Sequence, residues 1–247
     1  MKNYTLLLAA LFSLVLADLF IGKAQERVHP ALDAPKGIVA ERYFRDGRGF
    51  NEHRMYPLGF SRSGEFAYLV YTSGPWRQPT VYLKILNLIT DQQIHRDVFN
   101  TRFTDPDEGI QSLLSINGKK ISDTLYQFDI TSPGPLFVRK FPLKMDGDVL
   151  EAGVHRSLIA GKSAQMCGGR VPEEVEIRLR SKTNGIKIIA SYDTCASNTP
   201  SIEAIEGFVK SPLEDRIVVL ASGTQYSSEN RWDAKIIPIG AHLRKGF

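Results

Sequence analysis

The closest spacing between a histidine and a serine in this 247-residue sequence is two residues, from His155 to Ser157. His155 and Ser157 end a strand-like segment, where the imidazole could act as general base for the hydroxyl. A histidine at a strand end is more often simply hydrogen-bonded in place. The sequence also lacks the Gly-x-Ser-x-Gly elbow of the commonest serine hydrolases. We therefore predict no catalytic residue, and the interpretation leans towards a protein that is not an enzyme.

Other polar clusters have simpler interpretations than metal or phosphate binding. Asp105 and Asp107 have the spacing that begins a calcium loop, but the remaining ligands and the closing glutamate are missing. The histidines are scattered, without the close spacing of a zinc site. Gly161-Lys162-Ser163 resembles the end of a phosphate loop, but the upstream glycine spacing is wrong. The paired glutamates at 173–174 fit a solvated loop. We predict no metal and no cofactor.

Two polar loops, at residues 73–80 and 223–233, carry the residue types that dominate protein-binding hot spots. Trp, Tyr and Arg are the most enriched residues in such hot spots. The candidate binding residues are Trp76, Arg77, Tyr226, Arg231 and Trp232. The alternative is that both tryptophans cover the ends of the sheet core.

The only two cysteines, Cys167 and Cys195, flank a predicted hairpin. Residues 175–180 alternate apolar and charged side chains, residues 186–190 are again strand-like, and Asn184-Gly185 is a favoured turn. Folding the chain back at this turn brings residue 195 close to residues 170–174. We predict a disulfide that clamps the open end of the hairpin, because an isolated pair in an oxidising compartment is most simply a cross-link.

Most of the remaining chain is patterned as short strands separated by turns, which predicts a mainly β fold of antiparallel, blade-like sheets in a single domain. Strands are expected near 38–43, 65–71, 80–86, 92–98, 136–141, 149–155, 205–210, 216–221 and 234–239. Pro238 cannot donate to a ladder, so its strand is expected to be an edge or to end there. One or two short helices are expected, at about residues 106–116, with Thr104 or Asp105 as N-cap and Asn117-Gly118 as the stop.

Two sections of the sequence resemble each other. Gly59-Phe60-Ser61-Arg62-Ser63 matches Gly207-Phe208-Val209-Lys210-Ser211, and each is followed by an apolar strand, a Ser-Gly pair and a loop with a tryptophan. Such an echo indicates one supersecondary unit used twice. The first unit resembles a blade of WD40-like propellers. Because a closed propeller needs at least four blades, the prediction is blade-like sheets and not a complete ring.

The combination of these motifs is similar to the bacterial "predicted secreted protein" family, domain of unknown function 2259. The resemblance covers about residues 56–240 and rests on the early Gly-Phe-Ser unit, the central helix, the two cysteines and the late unit at 206–212. The resemblance implies export and a β-rich domain of unassigned function, with no catalytic residues to carry over. Leu213-Glu214-Asp215 departs from the pattern, since it replaces the tight turn in the second copy.

The first residues have the composition of a secretory signal peptide. Lys2 is the only charge before the apolar run at 6–17, and cleavage is plausible after Ala17 or, slightly preferred, after Ala24. The alternative, an uncleaved membrane anchor, is disfavoured by Asp18 and by the shortness of the run. The predicted organisation is a signal peptide at 1–24, an irregular lead-in at 25–55 and a secreted β-rich domain at 56–247.

These observations predict a periplasmic or extracellular protein without an integral membrane span after signal cleavage. The net charge of +4 is not concentrated in a patch of the sequence, so a nucleic-acid partner is not expected. The leading hypothesis is a non-enzymatic binding module for a protein, a peptide or an envelope component. The alternative is a secreted hydrolase whose active site is assembled from scattered residues.

Overall fold

Antiparallel strands fill most of the described chain, which in this computed structural model comprises residues 35–39, 52–74, 77–131, 136–167, 169–196, 199–226 and 232–247. At positions 52, 77, 226 and 232 the backbone alone is described. The predicted signal peptide and most of the predicted lead-in lie outside these residues. The strands are β1 Ile38–Val39, β2 Glu52–Phe60, β3 Glu65–Gly74, β4 Arg77–Asn87, β5 Gln92–Asn100, β6 Leu143–Met145, β7 Asp148–Leu158, β8 Glu173–Ser181, β9 Gly185–Asp193, β10 Ser201–Lys210, β11 Arg216–Tyr226 and β12 Trp232–His242.

The strands form three antiparallel sheets, and strands adjacent in sequence are adjacent in each sheet. Strands β1 to β5 make a five-stranded sheet, β6 to β9 a four-stranded sheet, and β10 to β12 a three-stranded sheet. The mainly β prediction is confirmed. Strand β2 begins at Glu52, inside the segment predicted to be irregular. Strand β12 is an edge strand and continues past Pro238, which confirms the edge interpretation of that proline.

Within the described residues, three apolar cores separate four layers. The first core packs helix α1, Pro106–Gln127, on one face of the five-stranded sheet. The second lies between the other face of that sheet and the three-stranded sheet, and the third between the three-stranded and four-stranded sheets. Strands β3 and β11 are therefore covered on both faces. This explains their uninterrupted apolar runs, Phe66–Tyr71 and Ile217–Ala221, in which every residue is buried.

Helix α1 begins as the sequence predicts but ends later. Asp105 is the N-cap, and its carboxylate accepts a hydrogen bond of 2.9 Å from the third helical amide, so the capping interpretation is confirmed. The predicted end at Asn117-Gly118 is wrong, because the helix continues to Gln127. A glycine destabilises a helix by about 1 kcal/mol. Burial of Ile121 and Leu125 in the first core outweighs this, at about 1.5–3 kcal/mol each.

The segment at residues 131–139, called the connector below, lies in the chain between α1 and the four-stranded sheet, and residues 131 and 136–139 of it are described. A second prediction is wrong here. The strand predicted at 136–141 is absent, and of these residues Arg139 alone forms a β-bridge. Thr131 exchanges two backbone hydrogen bonds with Phe60, at 2.9 and 3.1 Å, and Arg139 exchanges two with Phe208, both at 2.9 Å. The connector therefore pairs with the five-stranded sheet at one end and with the three-stranded sheet at the other.

The sequence repeat corresponds to a repeated structure. Strands β2–β4 and β10–β12 are both three-stranded antiparallel meanders, so the prediction of one unit used twice is confirmed. Gly59 and Gly207 each lie at a register shift, directly before the phenylalanine that pairs with the connector. A Cβ at Gly59 would lie 2.5 Å from the Thr131 carbonyl oxygen, and one at Gly207 would lie 2.4 Å from that of Arg139. Both units therefore need glycine where the connector approaches.

The hairpin and its cross-link form as predicted. Strands β8 and β9 pair antiparallel, and Gly185 takes a φ of 96° at the turn, which favours glycine. Cys167 and Cys195 are disulfide-bonded, with a Cα–Cα distance of 4.4 Å. The bond lies beyond the last cross-strand pair, Glu174 with Asp193, and so closes the open end of the hairpin. In the described part of the chain, no helix is long and apolar enough to cross a membrane.

Candidate functional site

The predicted binding residues fall at two hairpin ends, where the structure describes them only partly. Trp76 and Arg231 lie outside the described residues. For Arg77, Tyr226 and Trp232 the backbone is described: Arg77 pairs with Gly74 at the β3–β4 turn, and Tyr226 pairs with Trp232 at the β11–β12 turn. The backbone therefore places these candidates at the ends of two hairpins that belong to the repeated unit.

A pocket of about 220 Å³ lies beside both hairpin ends. Strands β2 to β5 of the five-stranded sheet contribute one part of its lining, and β12 of the three-stranded sheet contributes the other. The lining residues are His53, Val70, Thr72, Ser73, Tyr82, Lys84, Arg96, Asp233 and Lys235. The five-stranded sheet is wider than the three-stranded sheet packed on it. Val98, which pairs with Tyr82 next to the pocket, is accordingly left 54% exposed.

Positive charge dominates the lining of this pocket. Lys84 on β4 lies directly opposite Arg96 on β5, and Lys235 approaches from β12. Like charges directly opposite each other destabilise a sheet. Among the described lining residues Asp233 is the one carboxylate, and its residue is only 7% exposed. Neither Lys84 nor Arg96 forms an ion pair with a carboxylate of the described chain.

An aromatic ring supports the two facing cations. The guanidinium carbon of Arg96 lies 4.6 Å from the centre of the Tyr82 ring, and Nζ of Lys84 lies 5.8 Å from it. Such cation–π contacts contribute about 0.5–1 kcal/mol at exposed sites. Burial, followed by the charges of Arg96 and Lys235, lowers the pKa of Lys84 to about 8. The Lys84 ammonium is therefore held in an environment that disfavours its charge.

A second cleft, of about 350 Å³, lies beside the disulfide, and its charges are largely paired. Arg156 forms a 2.9 Å ion pair with Glu173 and also donates to the carbonyl of Ile202. Arg170 donates to the carbonyl of Ala196 at 3.1 Å. These arginines therefore fix the strand ends around the disulfide, whereas Lys84 and Arg96 of the first pocket form no ion pair with a carboxylate of the described chain.

The candidate catalytic pair does not form a site. His155 and Ser157 are both exposed on the outer face of β7, opposite Glu176 and Glu174. Residues two apart on a strand are separated by about 6.5–7 Å along it, which exceeds hydrogen-bond reach. No hydrogen bond joins the two side chains in the described structure. His155 lines a shallow pocket of about 240 Å³ over Gly153, and Ser157 does not.

The other polar clusters have structural partners. Asp107 accepts hydrogen bonds from Tyr56 at 2.8 Å and from Arg54 at 3.2 Å, which ties the start of α1 to β2. Lys162 pairs with Asp193 at 2.8 Å. Over the described residues, no three His, Cys, Asp or Glu side chains are arranged to hold a metal ion.

No protein-family model, curated protein or solved structure significantly matches this chain. The resemblance to the secreted family of unknown function and to propeller blades therefore stays a prediction. Sequence reasoning missed Lys84 and Arg96, although one signal was present: Lys84 interrupts the apolar run of β4 on the same face as Tyr82.

Proposed function

We propose that this chain is an exported, non-enzymatic binding module that holds an envelope component at the end of the fold formed by the β3–β4 and β11–β12 turns. The observation that carries the proposal is the pocket beside those turns, in which Lys84 and Arg96 face each other and form no ion pair with a carboxylate of the described residues. Binding sites are where local rules of stability are commonly broken. The residue types of both turns, which include Trp76 and Trp232, suit recognition of a partner.

Export is the second part of the proposal. The apolar run at 6–17 supports a signal peptide, and the Cys167–Cys195 disulfide is typical of an oxidising compartment. Expression in a host with a periplasm should yield exported protein whose intact mass matches a chain that begins at Asp18 or Gln25. A full-length mass would contradict this part.

The binding function is tested by recovery of envelope components on immobilised, oxidised protein. We expect Trp76→Ala and Trp232→Ala to reduce recovery of the components that the wild type retains. Ile116→Ala is the control, because this side chain is 77% exposed on α1. Equal recovery by wild type, tryptophan variants and control would contradict binding at this end. Hydrolysis of a retained component would instead favour the secreted hydrolase.

A further inference from the structure

We infer that the pocket between β4, β5 and β12 receives an oxyanion, a carboxylate or a phosphate, with Lys84 and Arg96 as its principal contacts. This inference rests on the proposed function, because it names the chemical group by which the ligand at this end is recognised. Lys235 and Tyr82 complete the wall of the pocket around the two cations.

The strand register supplies the first argument. Lys84 and Arg96 are cross-strand neighbours on one face of the sheet, and neither forms an ion pair with a carboxylate of the described chain. An anion between the two side chains would turn this repulsion into two attractions. Arg96 presents a planar fork that matches a carboxylate or a phosphate, and Lys84 supplies a compact charge beside it.

The size of the pocket supplies the second argument. Its volume of about 220 Å³ is smaller than the roughly 300–1,000 Å³ of sites that enclose a drug-sized ligand. The pocket is therefore suited to one charged group of a larger molecule. Ser73 near the end of β3 and Asp233 near the start of β12 both line the pocket, so the remainder of the ligand would extend towards these strand ends.

The burial of Lys84 gives the site a characteristic pH dependence. The groups that face Lys84 are Arg96 on β5, Lys235 and Asp233 on β12, and His53 and Tyr82 on β2 and β4. Because the pKa of Lys84 is lowered to about 8, the ammonium loses its proton as the pH rises through that value. Affinity for a carboxylate, which stays ionised over this range, should therefore fall towards pH of about 9.5.

The test is a titration of isotope-labelled, oxidised protein with inorganic phosphate and with glucuronate, followed by amide NMR at constant ionic strength. Glucose is the uncharged probe. We expect saturable shifts in β4 and β5 with both anions and none with glucose, and the tighter anion identifies phosphate or carboxylate as the preferred group. Lys84→Met and Arg96→Gln should each raise the apparent Kd by about tenfold or more, as expected for loss of a charged hydrogen bond.

Arg180→Gln is the matched control, since it removes one positive charge from the exposed face of the four-stranded sheet. Its Kd should stay within about twofold of wild type, because a remote surface charge contributes little through screening salt. The glucuronate affinity of Lys84→Met should also be independent of pH between about 7 and 9.5. Equal binding by wild type and both pocket variants, equal binding of glucose, or shifts spread over the whole surface would overturn the inference.

Failure of the inference is distinguishable from failure of the proposed function. If envelope recovery depends on Trp76 and Trp232 while the pocket variants bind phosphate normally, the anion site is wrong. The proposed binding of an envelope component at the β3–β4 and β11–β12 turns is then supported. If the pocket variants lose phosphate binding while the tryptophan variants leave envelope recovery unchanged, the anion site is supported. The proposed binding of an envelope component at the two turns is then wrong.

Discussion

Substitution of Gly207 by alanine should destabilise the protein, because this position combines a positive φ with a close backbone approach. Its φ of 148° lies in a region that side chains rarely adopt, and a Cβ there would meet the Arg139 carbonyl oxygen at 2.4 Å. That carbonyl cannot move away freely, because Arg139 and Phe208 exchange two backbone hydrogen bonds of 2.9 Å. The added methyl group must therefore separate the connector from β10 or distort both.

The expected loss in the free energy of unfolding follows from these contacts. Loss of two backbone hydrogen bonds costs about 1 kcal/mol each, and backbone strain at an unfavourable φ adds about 1–3 kcal/mol. A total of about 3–5 kcal/mol corresponds to a decrease in Tm of about 6–20 °C for a domain of this size. The effect should be local, because the other end of the connector, at Thr131, is not touched.

Thermal and denaturant unfolding of the oxidised protein measure this effect, and amide hydrogen exchange locates it. The amides of Arg139 and Phe208 should lose protection in Gly207→Ala. Gly153→Ala is the matched control: Gly153 also lies in a strand, but an added Cβ would meet nothing within 4 Å. Its free energy of unfolding should change by less than about 0.5 kcal/mol. A Tm of Gly207→Ala within about 2 °C of wild type would refute the reasoning.

Three further predictions concern the cap, the cross-link and the buried lysine. Asp105→Ala should lower the free energy of unfolding by about 1 kcal/mol, and Asp105→Asn by much less, because asparagine also accepts the capping hydrogen bond. Replacement of Cys167 and Cys195 by serine should lower it by about 3–4 kcal/mol for a sequence separation of 28 residues, measured by urea unfolding. The contribution of Lys84 to stability should rise by about 1–2 kcal/mol from pH 8 to about 9.5, because the folded protein, with the pKa of Lys84 at about 8, loses this proton before the unfolded chain does. Lys187, whose pKa is also lowered to about 8, adds to the rise in the wild type. Lys84→Met should lack the part of the rise that Lys84 contributes and be the more stable protein at pH 7.

Each of these three predictions has an outcome that contradicts it. Equal stability of Asp105→Ala and wild type would show that the cap contributes nothing. Two reactive thiols in denatured, unreduced wild type would exclude the disulfide. Parallel pH profiles for wild type and Lys84→Met would mean that this lysine is not desolvated in the folded state.

The sequence predicts what is decided by neighbouring residues. The β8–β9 hairpin is encoded by strict alternation and by Asn184-Gly185, and the disulfide follows once the hairpin closes. The start of α1 is likewise local, because Asp105 caps an amide three residues away. The repeated unit was visible as two copies of a short motif.

The failures come from contacts between distant residues. The end of α1 depends on a core that Ile121 and Leu125 share with the five-stranded sheet. The connector is held by Phe60 and Phe208, far away in sequence, and the strand that its composition predicts at 136–141 does not form. The pocket depends on strand register: a bulge near Ile85 sets β5 against β4, and a slip of one residue would turn Arg96 to the other face.

The way in which the connector is attached determines how its sequence can change. Its contacts at both ends are made by main-chain groups of Thr131 and Arg139, which every residue except proline can supply. The receiving strands have no such freedom, since Gly59 and Gly207 leave no room for a side chain. A survey of tolerated mutations should therefore find many substitutions at Thr131 and Arg139 and few at Gly59 and Gly207.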